Sequence, residues 1–224
     1  MTWNSLWDDV FRSRPWGQYP GEDVVRFVAR NFYGATQRSA VRLLEVGCGT
    51  GANLWFMARE GFCVHGIDGA ATGVQIAQNR LDKDCPGWRD RGGRIDIGNM
   101  YPLDYPDAHF DGVFDVAAIC YCDWDLSRRT YAELARVTRP GGRLFARTFA
   151  RGCWGEGTGQ AVGRQIWHCS EGPLANLGAT RFTSHRDVPS LFTDWHIDAV
   201  GENIAKEDEG SPSIHQLLVQ ATRR

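Results

Sequence analysis

Residues 41–47 (VRLLEVG) form a nearly unbroken apolar run that ends on a glycine, and two more glycines, Gly49 and Gly51, follow before a helix-forming stretch. Apolar residues at successive positions bury both faces of a strand, which marks an inner strand of a parallel sheet. Three alternate glycines let the backbone turn sharply and come close to a ligand at a helix N-terminus, where such sheets bind nucleotide-like groups. The segments that follow repeat the theme. Helices are expected over residues 52–60, 72–81 and 126–138, and strands over 62–68, 94–97, 110–120 and 143–149, with a turn at Pro140-Gly141-Gly142. Strands alternating with helices predict an α/β fold with a doubly wound parallel sheet.

Both flanks differ from this core. Trp3, Leu6, Trp7, Val10 and Phe11 recur at helical spacing on one face, and Val24, Phe27, Val28 and Phe32 define a second amphipathic helix. Between them, residues 14–21 (RPWGQYPG) make a shaped turn that presents Trp16 and Tyr19. Residues 151–193 are glycine-rich, with little periodicity before 187–192. Stretches 195–204 and 213–221, separated by an acidic Gly/Pro turn, predict a terminal antiparallel pair.

Charge and composition narrow the function. The 25 Lys+Arg against 27 Asp+Glu give a formal net charge of −2, and no basic run is present to neutralise a row of phosphates, so nucleic acid is not expected as a partner. No apolar stretch is long enough to cross a bilayer and no basic-then-apolar leader opens the chain, so a cytoplasmic protein without a membrane partner is expected. Seven scattered cysteines without a C-x-x-C pair read as reduced structural thiols, and no metal site is expected.

Gly47, Gly49 and Ala52 satisfy the G-x-G-x-x-G/A dinucleotide fingerprint, which keeps an NAD-dependent oxidoreductase in view. Glu45 argues the other way. A carboxylate two residues before the first glycine would meet a pyrophosphate with like charge, whereas it suits a ligand with a cationic group there, as in the ammonium and sulfonium of S-adenosylmethionine. Asp68, ending the second strand, stands where an acid accepts ribose hydroxyls.

LLEVGCGTG (residues 43–51), HGIDGA (65–70), FDGVFD (110–115) and ELARVTRPGGRLF (133–145) together resemble the motifs of the class I S-adenosylmethionine (SAM)-dependent methyltransferases over residues 41–149. Trp16-Gly17-Gln18-Tyr19-Pro20 is similar to a W-G-x-Y-P segment in a narrower group of small bacterial members. The resemblance implies a Rossmann-like, seven-stranded, mostly parallel sheet with a C-terminal antiparallel hairpin, N-terminal helices and an insertion after strand five. It also implies one domain: a helical cover over 1–40, a SAM-binding core over 41–149, a substrate-side insertion over 150–193 and a strand pair over 194–224.

By the same resemblance, Gly47, Cys48 and Gly49 line the methionine moiety with Glu45 and Asn53 beside it, and Tyr19 with Trp16 covers it. Asp68 takes the ribose, Gly69 abuts the adenosine, Asn99 and Met100 flank adenine, and Asp115 approaches the amino group. Many members carry an acid where this chain has Asn99, so weaker but still specific adenine reading is expected. The activity implied is methyl transfer to an O or N atom of a small-molecule acceptor; a non-catalytic SAM-binding partner and the NAD enzyme are the alternatives. Candidate catalytic residues are His168, a possible general base in the insertion along with His185, and Tyr121, which would orient the acceptor.

Six of the nine tryptophans (3, 7, 16, 154, 167 and 195) lie outside residues 41–148. This distribution predicts an aromatic-walled acceptor pocket, with Trp16, Trp154, Glu156, Trp167 and Arg181 as candidate lining.

Overall fold

The structure is a computed structural model that describes residues 6–206 and 208–224. Its centre is a seven-stranded sheet in the order β3-β2-β1-β4-β5-β10-β9. The first five strands are parallel: β1 (Arg42–Val46), β2 (Cys63–Asp68), β3 (Arg94–Ile97), β4 (Phe110–Val116) and β5 (Thr138–Phe149). The last two, β9 (Trp195–Ala205) and β10 (Ile214–Arg223), are the expected antiparallel pair, and β10 runs antiparallel to β5 as well.

Leu43, Leu44 and Val46 are fully buried because both faces of β1 are covered. Leu43 faces a core of Phe27, Leu54, Phe62, Phe114 and Phe145. Leu44 and Val46 face one of Val113, Tyr131, Leu144 and Trp195. Helix α2 (Glu22–Phe32) buries Val24, Phe27, Val28 and Phe32, the stripe read from the sequence, and sets Phe27 edge-on against Phe114 at 5.6 Å. Helices α3 (Ala52–Arg59), α4 (Ala71–Asp84) and α5 (Trp124–Val137) complete the wound core.

Helix α1 (Leu6–Ser13) docks by two devices. A Cβ on Gly49 or Gly73 would lie 3.2 or 2.9 Å from the Phe11 ring, so these glycines make room for Phe11. Asp8 also accepts the Thr72 backbone N–H at 2.9 Å in the first turn of α4, where that donor has no partner within the helix. Trp3, expected on the same face as Trp7, lies outside the described residues.

Three local expectations are corrected. Strand β4 ends at Val116 and not at 120, because the Asp115 carboxylate captures the N–H groups of Ala118 and Ile119, both at 3.0 Å, and Ala117 turns to φ +59°. The Pro140-Gly141-Gly142 turn is an excursion within β5: Thr138 pairs with Phe110 and Arg143 with Gly112, so residues 139–142 loop out between them. The insertion is also more ordered than its periodicity suggests. It carries a small antiparallel sheet of β6 (Gln160–Gly163), β7 (Ile166–His168) and β8 (Ala179–Arg181), followed by the short helix α6 (Val188–Leu191).

Candidate active site

Parallel strands deliver their C-terminal ends to one edge of the sheet, and a cavity of about 780 Å³ opens there. Gly47 (φ +63°), Gly49 (+51°) and Gly51 (+77°) all occupy the left-handed region that L side chains rarely adopt. A Cβ on Gly47 would sit 2.2 Å from the Ala118 Cβ, so only glycine leaves this floor open. The loop is tied to β2 by Gly47 N–H and Cys48 N–H donating to the Ile67 carbonyl at 2.7 and 3.2 Å.

Two buried carboxylates face the same cavity. One Asp68 oxygen accepts the Gly49 N–H at 2.8 Å and the other the Ala70 N–H at 2.7 Å, so this side chain fixes both the glycine loop and the start of α4. Burial raises its carboxyl above the usual range, and those two bonds oppose the rise. Glu45 is 2% exposed; Oε1 accepts from Asn53 Nδ2 at 2.5 Å, whereas Oε2 is buried with no partner. Its carboxyl is pushed up to about 8, mainly by burial; the Asn53 bond and the Arg147 guanidinium oppose this, and Asp68 and Asp115 add to it. A buried acceptor without a donor is costly, and a cationic or N–H-bearing group at Oε2 would relieve that cost.

Trp16, Tyr19, Glu45, Gly47, Cys48, Gly49, Asn53, Asp68, Gly69, Asn99, Met100 and Tyr121, all singled out from the sequence, line this cavity together. Asp115 does not. It is fully buried, and its second oxygen accepts the Tyr131 hydroxyl at 2.6 Å, so it holds the turn after β4 and offers the cavity no carboxylate. His168 is exposed on β7 and absent from the cavity wall, which removes the expected general base. His185 lies against Glu202 at 3.5 Å, beside a separate small pocket.

Trp154, Glu156, Trp167 and Arg181 also fall outside the cavity lining. Trp154 packs on Gly172, Trp167 joins a cluster with Cys153, Cys169 and Phe182, and Arg181 is completely buried beside Trp124. The aromatic wall comes instead from Trp7, Phe11, Trp16 and Tyr121, with Leu174 and Leu177 from the insertion. Trp7 lies 5.0 Å from Tyr121 and 5.6 Å from Trp16, both edge-on. Arg147, on β5, lines the cavity too and was missed, because an arginine inside an apolar strand reads as an outward-facing position. All seven cysteines are free and buried; among the described residues no three His, Cys, Asp or Glu converge as a metal site, and no helix is long and apolar enough to cross a membrane.

Residues 43–142 match the family described as "Methyltransferase domain". Demethylmenaquinone methyltransferase of Tropheryma whipplei is 35% identical over 108 residues, which is 48% of this chain and 41% of that protein. The 27-O-demethylrifamycin SV methyltransferase of Amycolatopsis mediterranei is 31% identical over 117 residues, 48% of this chain and 38% of that protein. The chain thus spans about two fifths of the length of the curated relatives it matches. In fold it resembles a SAM-dependent methyltransferase of Methanosarcina mazei (TM-score 0.70, 19% identity, 88% of this chain and 96% of that one). It is similar as well to the 1,6-didemethyltoxoflavin-N1-methyltransferase of Burkholderia thailandensis (TM-score 0.64, 16% identity, 98% and 88%), solved with its acceptor and S-adenosylhomocysteine. The strand order and these matches together make residues 43–142 similar in sequence to a methyltransferase domain, and the chain similar in fold to the SAM-dependent methyltransferases.

Proposed function

We propose that this protein is a SAM-dependent methyltransferase acting on an O or N atom of a small-molecule metabolite. The observation that carries the reading is the buried, unpartnered Glu45 Oε2 beside a glycine loop with no room for a Cβ. When bound, SAM supplies a methyl group activated by its positively charged sulfur.

The chain's own residues divide the remaining work. Glu45, oriented by Asn53, receives the ligand's ammonium, and Asp68 accepts ribose hydroxyls with the lone pairs left over from its two backbone bonds. Gly47, Cys48 and Gly49 let the backbone approach the methionine moiety; Gly69, Asn99 and Met100 border the adenosine. Trp7, Phe11, Trp16, Tyr121, Leu174 and Leu177 wall the acceptor end, exclude water and align the acceptor. Burial pushes the Tyr121 hydroxyl well up, so at neutral pH it serves as a hydrogen-bond donor that orients the acceptor and not as a base. The names of both curated relatives specify small-molecule acceptors, in keeping with a cavity of about 780 Å³ walled largely by apolar side chains.

Isothermal titration should show S-adenosylhomocysteine binding and none for NAD; the reverse would sink the proposal. Incubation with SAM and a panel of sugars, amines and phenols should yield S-adenosylhomocysteine with at least one of them. Tight binding without turnover on any would favour a non-catalytic partner.

Glu45 also makes binding pH-dependent. With its carboxyl near 8, against an ordinary 4.5, the ligand-free protein carries Glu45 neutral at pH 7. The associated stability is full below 4.5 and lost as pH rises through about 8. Pairing with an ammonium needs the carboxylate, so binding below pH 8 expels a proton. Affinity should therefore rise between about pH 5 and 7, where the ligand's amine stays protonated. Titration enthalpies should vary with the buffer's ionisation enthalpy. A flat pH profile with no proton release would contradict this role for Glu45.

A further inference from the structure

The strand order divides the cavity into two ends. Glu45 and Asp68, the carboxylates that line it, stand on β1 and β2, whereas Phe149 on β5 and Ile214 on β10 lie beyond β4 and cluster there with Tyr121 and Leu174. Both carboxylates are engaged, Glu45 by Asn53 and Asp68 by two backbone N–H groups, and neither His168 nor His185 reaches the cavity. The groups whose charges act on Tyr121 are Arg14, Cys120, Cys153 and Cys169, and Cys122 lines the cavity beside it. Burial holds the Cys120 thiol well up, pushes Cys122 up to about 12 and raises Cys153 and Cys169, so all four are neutral thiols at pH 7. Among the described residues this end therefore holds no proton acceptor. The charges nearest it are positive: Arg14, 5.3 Å from the Trp16 ring, and Arg147 on β5, which pairs with Asp23 at 3.2 Å. The Tyr121 hydroxyl has no hydrogen-bond partner among the described residues and is free to donate.

Three kinds of acceptor meet this end differently. An alkyl alcohol, as in a sugar, holds its proton too tightly to ionise unaided and finds no base to take it. An alkylamine enters as an ammonium at neutral pH, with no carboxylate here to hold it and a sulfonium to repel it. An acidic hydroxyl loses its proton to water before it enters, and its oxyanion meets a donor hydroxyl, nearby positive charge and the attraction of the sulfonium across an apolar cavity. We propose that the acceptor is an apolar molecule with an acidic hydroxyl, a phenol or an enol, methylated on oxygen in its ionised form without a base from the protein. An electron pair of the oxyanion forms the new C–O bond, and the methyl–sulfur bond breaks with its pair on sulfur. No proton moves in that step, because water took it beforehand. The inference rests on the SAM reading above and narrows its acceptor.

Three probes on one apolar frame test it: 1-naphthol, 1-naphthylmethanol and 1-(aminomethyl)naphthalene, an acidic hydroxyl, a non-acidic one and an amine. With the full chain and saturating SAM, so that the pH dependence of cofactor binding drops out, 1-naphthol should yield S-adenosylhomocysteine about a hundredfold or more faster than the other two. Its kcat/KM should rise with pH and level off at the naphthol's own pKa, and 4-nitro-1-naphthol, a stronger acid, should level off at a correspondingly lower pH. Tyr121→Phe should lower kcat/KM about tenfold, as expected for one hydrogen bond to a charged acceptor, and leave both inflections in place. An inflection shared by the two naphthols, or one lost in Tyr121→Phe, exposes a base on the protein and overturns the proposal. Turnover of the alcohol or the amine at a rate comparable to 1-naphthol overturns it too. Should Tyr121→Phe fail to fold, the two inflections of the unsubstituted protein decide alone. Binding of S-adenosylhomocysteine with no turnover of any probe defeats the acceptor class and leaves the SAM reading standing, whereas failure to bind S-adenosylhomocysteine defeats both.

Discussion

Asp68→Ala is expected to weaken S-adenosylhomocysteine binding by roughly a hundredfold, the equivalent of about 3 kcal/mol. The side chain does two things at once. On the proposed SAM reading it is the carboxylate offered to the ribose, and hydrogen bonds to a charged acceptor contribute about 1.5–3 kcal/mol each. It also holds Gly49 N–H and Ala70 N–H, so its removal leaves two backbone donors unpaired and loosens the glycine loop. The melting temperature should therefore fall along with affinity. Asp68→Asn separates the contributions: it keeps the shape and one acceptor oxygen but aims an N–H₂ at one of those donors, and should bind with intermediate affinity. A lower melting temperature with undiminished affinity would reduce Asp68 to a structural role.

Trp195→Ala should produce the largest loss of stability, about 3–5 kcal/mol in urea or thermal unfolding. Trp195 begins β9, is 1% exposed, packs with Tyr131 and Phe192, and donates its indole N–H to the Tyr131 carbonyl at 3.0 Å. Alanine would leave a cavity in the core and remove the indole hydrogen bond to α5. The site would feel this only through Tyr131, whose hydroxyl steadies Asp115 and thus the turn carrying Ala118. Affinity for S-adenosylhomocysteine should accordingly change by less than about tenfold. A loss of stability below about 1 kcal/mol would show that the surrounding core collapses around the gap.

The part of the cavity built by the strand ends and the glycine loop was readable because its signals are local. A buried strand, a run of glycines and an acid at the next strand's end are adjacent in sequence and need no knowledge of packing; the strand order then brings Glu45, Asp68 and Asn99 to one edge. The aromatic wall of the cavity was not readable, because its parts meet only in three dimensions. Trp154 and Trp167 pack within the insertion, while Trp7, expected merely to dock a helix, reaches the cavity. Asp115 was misassigned for a related reason: a polar residue in an apolar strand has to find partners, and sequence does not reveal that Tyr131, Ala118 and Ile119 already supply them. The small sheet of the insertion escaped notice since strands of three or four residues leave too short a record of alternation.

Trp7 and Tyr121 are 114 positions apart in the chain (121 − 7), and Phe11 and Leu177, which share a small apolar cluster over the cavity, are 166 apart (177 − 11). The cover is thus three remote segments, α1, the turn after β4 and the insertion, joined by a few side chains, and each such closure works against the entropy of a long loop. A molecule lodged beneath it touches these segments at once and acts as a reversible cross-link between them. Ligand occupancy is in that sense part of the tertiary structure: whatever fills the cavity adds its binding free energy to the closure of these loops.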